Sequence, residues 1–424
     1  MMATLTQIFK IKELRGKIFF ILGVLVVYRL VAAIPLPGVD FTQLQRFFDS
    51  NQLFGLLNIF SGGGLNNISI VLLGVAPYIT ASIIMQLMTT IVPRLEQMYK
   101  EEGEAGRQRF NMITRWLTVP FAILQSFGMI SLLKSQQVIV SVTTFDTIAI
   151  VTTATAGTVL LMWIGELITE KGIGNGVSIL IFAGIASGLP TMVSRFLTDF
   201  DSAKIFTYIV FLLIALFTVA AVIAINEAQR NIPVAYAKRV RGEKTYGGTS
   251  TTHLPLRVNQ AGVIPIIFAV SLILVPGMVA SFLMQSGNEK VAHIANLVNN
   301  LFQNQLFYGA LYFTLVVLFT YFYTAVVFDP MKIAENLQKQ GGYVPGIRPG
   351  QSTAQHLYFI INRITLAGAL FLGTVAVLPI AVQYMTGIQS LALGGTSILI
   401  VVAVVLDMVK HIQSQITMRN YDGF

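Results

Sequence analysis

The sequence predicts an all-α integral membrane protein of ten spans arranged as two inverted five-helix halves. Composition, charge placement and an internal repeat carry that prediction. Of 424 residues, 54% are hydrophobic and 11% charged, an apolar load that belongs in a bilayer and not on a water-exposed surface. The 28 Lys and Arg are distributed so that alternate loops are basic. Two stretches in corresponding positions of the two halves share a glycine–proline pattern.

The spans follow in order. Residues 1–17 mix Lys10, Lys12, Arg15 and Lys17 with Ile8, Phe9, Ile11 and Leu14. This is a basic amphipathic segment, expected to lie in the cytoplasmic interface and not to be a cleavable signal peptide. The N-terminal half, 18–196, holds apolar stretches at 18–34, 68–91, 116–133, 148–164 and 177–196. The C-terminal half, 197–411, holds 205–225, 261–284, 306–328, 364–382 and 391–409, and a cytoplasmic tail, 412–424, follows.

The second stretch is interrupted. After Gly62-Gly63-Gly64, Leu65 and the amides Asn66 and Asn67 comes a short apolar piece from Ile68, expected to make about two helical turns. Gly74 then breaks it, and Pro77 sits where a new helix begins, because proline suits a first turn and not an interior. A broken helix at membrane depth has freed backbone groups, which only protein or a water-filled cavity can satisfy.

Of the 28 Lys and Arg, 21 fall near the termini and in the loops around 93–115, 171, 227–257, 329–356 and 410, and only 5 (Arg46, Lys134, Arg195, Lys204, Lys290) in the opposite loops. The positive-inside rule therefore puts both termini and the first set in the cytoplasm. The net charge of +9 mostly sets topology, so no nucleic-acid function is required. Loops 227–257 and 329–356 are nonetheless longer than topology needs, and loops of that kind usually bind something.

The repeat is Gly74-Val75-Ala76-Pro77-Tyr78-Ile79-Thr80-Ala81 against Gly262-Val263-Ile264-Pro265-Ile266-Ile267-Phe268-Ala269. Ser178-Ile179-Leu180-Ile181 recurs as Ser397-Ile398-Leu399-Ile400. The two matches pair span 2 with span 7 and span 5 with span 10. An odd number of spans per half makes paired spans run in opposite directions.

Chemistry is conspicuous by what is missing. The chain has no cysteine, which excludes disulfides, thiolate metal sites and a cysteine nucleophile. His253, His293, His356 and His411 are far apart in sequence and give no metal-ligand spacing. Gly172-Ile173-Gly174-Asn175-Gly176 lacks the preceding strand of a dinucleotide fingerprint and reads as a tight hairpin turn. No acidic residue falls mid-span, which argues against an ion-coupled transporter. No serine–histidine, aspartate-pair or metal set suggests an intramembrane hydrolase. Neither enzyme activity nor a cofactor or metal is expected. A polypeptide-sized path remains, with a secondary transporter of small solutes as the alternative.

Seven runs carry a family resemblance: PLPGVD (35–40), GVAPYITASIIMQLM (74–88), EGEAGRQR (102–109), GELITEKGIGNGVSILIFAGI (165–185), AKRVRGEKTYGGTSTTHLPLRVNQAGVIP (237–265), VPGIRPGQST (344–353) and GGTSILIVVAVVLD (394–407). They span nearly the whole chain, which resembles the SecY family of protein-conducting channels. The resemblance implies a clamshell of two halves around a central pore, at a bacterial plasma membrane. It conducts unfolded polypeptides and releases apolar segments sideways into lipid. It implies a pore ring of Ile79, Ile83, Ile181, Ile185, Ile267 and Ile400. It implies a plug half-helix at about 62–73, including Gly62, Gly63, Gly64, Leu65, Asn66, Asn67, Ile68, Ile70 and Leu72. It implies a lateral gate between spans 2 and 7, where Ser82, Gln86, Thr90, Asn259 and Met278 are the polar or adaptable residues. Docking contacts fall on Arg241, Lys244 and Arg348. The implied partners are the small membrane subunits SecE and SecG, the SecA ATPase, the ribosome, signal sequences, unfolded substrates and membrane lipids.

Overall fold

The structure, a computed structural model, describes residues 11–36, 69–135, 143–198, 205–236, 239–241, 244–246, 252–283, 289–386 and 389–422. Helices occupy all ten apolar stretches. In the first half they are α1 (Lys12–Ala32), α2 (Ala76–Ile91), a short α3 (Pro93–Lys100), α4 (Gly103–Ser135), α5 (Thr144–Lys171) and α6 (Gly176–Thr198). The second half comprises α7 (Ile205–Glu227), α8 (Ile264–Leu283), α9 (Glu289–Gln303), α10 (Gln305–Val327), α11 (Pro330–Lys339), α12 (Gln351–Thr386) and α13 (Gln389–Asp422). By length and hydropathy alone, 5 of the described helices would cross a bilayer, or 6 if the bent pair α2–α3 is one span.

Several helices outrun their apolar stretches. Lys12 to Lys17 continue straight into α1, so position 17 is not a structural boundary. Helix α12 begins at Gln351, well before the apolar stretch at 364. Hydropathy sees only the membrane-compatible part of such a helix, whereas backbone hydrogen bonding carries it into the polar region. Thr143 starts α5 with a capping box, its hydroxyl accepting from the Asp146 amide while Asp146 accepts from the Thr143 amide.

The repeat is visible in the backbone. Gly74 has φ 56° and Gly262 φ 62°, the left-handed region that glycine enters without strain. Each glycine is followed two residues later by a helix start, Ala76 or Ile264, with proline as the second helical residue. Packing repeats as well. The pairs α2–α4, α4–α5, α5–α6 and α1–α5 recur as α8–α10, α10–α12, α12–α13 and α7–α12. Helices on a two-fold axis must touch their own counterparts, and α2 packs on α8 and α6 on α13.

Several polar side chains inside this apolar packing are satisfied by their own helix. Thr80, Thr114, Thr118, Thr320 and Thr324 each donate to the carbonyl four residues earlier, the bond that lets a hydroxyl sit where water is absent.

One expectation needs correction. The piece before Gly74 is not two turns of helix. Within 69–74 it is a bridge at Ser69, paired with Pro35, and then a turn closed by the Gly74 amide on the Val71 carbonyl at 2.8 Å. Six consecutive residues ending at a left-handed glycine are too few to nucleate a stable helix. The long loops also carry strands. Strands β1 (Gln229–Tyr236) and β4 (Thr252–Arg257) pair antiparallel from Gln229↔Arg257 to Val234↔Thr252. A two-residue β5 (Gly342–Tyr343), contributed by the other loop, adds to the far side of β1. Between β1 and β4 lies a separate hairpin, β2 (Arg239–Arg241) with β3 (Lys244–Tyr246). Ile232 and Leu256 of the three-stranded sheet pack with Val344, Leu357, Ile360 and Ile361 into a second, smaller core. Apolar residues at alternate positions, Ile232/Val234 and Leu254/Leu256, were the sequence signal for these strands.

Candidate functional site

A cavity of about 700 Å³ opens between the two halves. Its walls include Tyr78, Ser82 and Gln86 from α2, Arg115 from α4, Glu166 from α5, Ser178 from α6, and Ile264 and Phe268 from α8. Ile79, Ile181 and Ile267 line it as well. All six predicted ring isoleucines are buried, from 1% exposed at Ile181 to 5% at Ile185 and Ile267, and they belong to one continuous apolar cluster. Ile79/Ile83 and Ile181/Ile185 are one turn apart and share a face of their helices. Ile400 does not line this cavity. Its helix contributes Ala403 and Val404 to an adjoining cavity of about 250 Å³, which shares Asn175, Ser178, Ile264 and Tyr323 with the first.

The lining of the larger cavity is mixed in chemistry. Besides the isoleucines, Glu104, Gln108, Asn111 and Arg115 line it from α4, and Glu166 and Glu170 from α5. Arg115 Nε donates to Glu166 Oε1 at 2.6 Å, half-exposed, joining the two helices in the cavity wall. Sequence reading missed this polar wall. Its signal was the spacing of Gln108, Asn111 and Arg115 at three and four residues, one face of a helix running ahead of the apolar stretch at 116.

The glycine-rich 172–176 segment is the hairpin that joins α5 to α6, as expected. Gly174 has φ 79°. The Asn175 side chain accepts from the Val177 and Ser178 amides at 3.0 and 3.2 Å, capping α6. A methyl group at Gly176 would collide with the Gly165 carbonyl, so only glycine permits α5 and α6 to approach this closely. The turn thereby fixes Ser178 and Ile181 at the cavity wall.

The residues assigned to the gate separate into two groups. Helices α2 and α8 do pack together, and α8 also packs on α4. Their polar groups, however, bond within their own halves. Gln86 Nε2 donates to Ser82 Oγ at 3.3 Å, and Thr90, which is exposed, donates to the Leu87 carbonyl. Asn259 donates to Asn226 Oδ1 at 2.7 Å and to the Gly262 carbonyl at 3.2 Å, which pins the turn before α8 to the end of α7. Gln86 Oε1 and Asn259 Oδ1 are buried without a protein partner. The Met278 side chain lies outside the described residues. Among the described residues one polar contact does join the halves: Lys332 Nζ of α11 donates to the Lys100 carbonyl at 3.2 Å, a cation at the negative end of α3.

Of the plug residues, Gly62, Gly63, Gly64, Leu65, Asn66, Asn67 and Ile68 lie outside the described residues. Leu72 is buried and Ile70 half-buried. The Ile70 amide donates to the Ile34 carbonyl at 3.1 Å. A methyl group on Gly157 of α5 would collide with the Ile70 carbonyl. The chain is thus held closely on both sides where it enters α2.

At the docking loops, Arg241 and Lys244 are paired residues of the β2–β3 hairpin, and their side chains lie outside the described residues. Arg348 is exposed on a turn braced by Gly346 at φ 82°, Gly350 at φ 93° and the Thr353 hydroxyl, which donates to the Arg348 carbonyl at 2.9 Å.

Two repeated helical halves meeting over a shared cavity, lined by both polar and aliphatic side chains, define a multi-pass membrane protein with the fold of a channel. Residues 69–409 match the family model described as SecY. Similar curated proteins are the protein translocase subunit SecY of Streptomyces coelicolor, 44% identical with 100% of each chain covered, and that of Corynebacterium glutamicum, 44% identical over 100% of this chain and 99% of the relative. The chain belongs to the SecY family. Solved structures share the fold. One titled "The structure of a protein conducting channel" has a TM-score of 0.64 at 16% identity, covering 92% of this chain and 90% of the other. Another, "Sec61 in the Canine ribosome-channel complex from the endoplasmic reticulum", has 0.59 at 17% identity with the same coverage.

Proposed function

We propose that the chain is the protein-conducting channel of a bacterial plasma-membrane translocase. It passes unfolded polypeptides across the membrane and releases transmembrane segments laterally between α2 and α8. Ten spans with both termini in the cytoplasm follow from the basic loops. The observation that carries the reading is the cavity shared by both halves, with Ile79, Ile181 and Ile267 among its lining residues. A ring of branched aliphatic side chains excludes water and ions by dewetting, yet parts for a chain without binding it tightly. The relatives named protein translocase subunit support the same function.

In this reading the six isoleucines form the seal and the segment at about 62–73 is the plug. SecA or the ribosome supplies energy and docks on the loops at 227–257 and 329–356, and SecE and SecG are the small membrane subunits. Proteoliposomes holding the chain with SecE and SecG test the function directly. With SecA, ATP and an unfolded precursor, the precursor becomes protease-protected. Solute accumulation in vesicles lacking SecA, with no precursor protection, would favour a small-solute transporter instead.

Arg348→Glu tests the docking surface. Its side chain is exposed and its turn is braced by backbone geometry, so expression and insertion stay near normal. SecA-driven transport falls sharply. Reversing a charge costs roughly 2–5 kcal/mol where the partner buries it and much less at a rim. Unchanged SecA affinity and transport in the purified variant would remove Arg348 from the contact surface.

A further inference from the structure

Helix α9 (Glu289–Gln303) lies between gate helix α8 and α10 and packs on both. Its surface divides into three sectors. Ala295, 2% exposed, and the half-buried Val291 and Phe302 face the protein. Ile294, Leu297 and Leu301 form a second stripe at spacings of three and four, and they are 62%, 53% and 51% exposed. Glu289, His293, Asn296 and Asn300 form a third, exposed and polar. A helix that needed only to cover the protein would have two sectors, one buried and one polar. The additional apolar sector stands between them.

We propose that α9 is an interfacial helix whose Ile294, Leu297 and Leu301 stripe is immersed in the outer leaflet of the bilayer, anchoring the outer end of the gate helix to lipid. Two features fix lipid as the occupant. A single residue, Asn304, separates α9 from α10, so α9 cannot stand away from the depth at which α10 begins. Asn304 also locks the corner: its side chain accepts from the Leu306 and Phe307 amides, and Phe302 meets Phe307 edge-on at 6.1 Å. In addition, the helix ends that α9 packs on and connects carry exposed apolar residues of their own, Val279 and Leu283 of α8 and Leu306 of α10, as helices that face hydrocarbon do. The inference concerns the lipid contact alone and does not depend on what the channel carries.

The absence of native cysteine permits a direct test in the full chain. Single cysteines at Ile294, Leu297 and Leu301, and separately at His293, Asn296 and Asn300, are labelled with a polarity-sensitive fluorophore in phospholipid vesicles. The first three are expected to emit blue-shifted. They should be quenched severalfold more by nitroxide placed high on the acyl chains than by aqueous iodide. The second three should show the reverse. Water-like emission and iodide quenching at all six positions would overturn the proposal. So would shielding of the first three from both quenchers once SecE and SecG are present, which would make the stripe a protein contact.

Discussion

Converting Ile79 and Ile267 together to asparagine is expected to open an ion leak through the idle protein. The two positions are equivalent in the repeat. They come from opposite halves, are 4% and 5% exposed, and both line the same cavity. An aliphatic constriction holds out ions because wetting it is unfavourable, and an amide on each side supplies the hydrogen bonds that water lacks there. A fall of only ~1.4 kcal/mol in that barrier is tenfold in rate. Each asparagine also costs roughly 1–3 kcal/mol as a buried, incompletely paired amide. Leucine at both positions keeps volume and polarity and serves as the control for packing. In planar bilayers the asparagine pair should conduct with no substrate present, while the leucine pair stays closed. Equal conductance in wild type and the asparagine variant would move the seal away from these residues.

The constraint that made the repeat legible is backbone conformation. Gly74 and Gly262 stand out in sequence because a left-handed residue followed by a proline-started helix admits few alternatives, and the structure shows the same φ and the same helix start at both. The hairpin at 172–176 was readable for a similar reason. What the sequence concealed was contact at a distance. The bond from Asn259 to Asn226 joins residues 33 apart across the loop between α7 and α8, so nothing near Asn259 announced that its amide braces α7. Helix α9 escaped because Glu289–Gln303 is too short and too polar to register as an apolar span. The sheet escaped because the two-residue β5 has meaning only beside β1, and its loop is separated from β1 by several helices. The polar wall of the cavity was hidden by the hydropathy boundary at 116, where a continuous helix changes solvent and not conformation.

A disulfide across α2 and α8 is expected to stop transport completely and reversibly. The reason lies in what does and does not hold this seam. Gln86, Thr90 and Asn259 bond inside their own halves, so separating α2 from α8 breaks none of those bonds. Among the described residues the polar tie between halves, Lys332 to the Lys100 carbonyl, is an exposed single contact of a kind worth little in water. The remaining contact is apolar, and apolar surface leaving a helix gains lipid tails that are just as apolar, so no hydrophobic penalty opposes parting. The seam therefore opens at low cost, and a covalent bond is the kind of barrier that such an opening cannot override. One cysteine within Ala76–Ile91 and one within Ile264–Leu283, with Cα atoms within about 7 Å, meet the geometric requirement, and no native cysteine competes. Oxidation should abolish protease protection of a precursor, and reduction should restore it. SecA binding should be equal in both states, because its proposed surface lies on the loops. Lys332→Met without cysteines should act in the opposite direction, easing opening and raising transport of precursors with weak signal sequences. Full transport through quantitatively cross-linked protein would mean that α2 and α8 stay together while a chain passes.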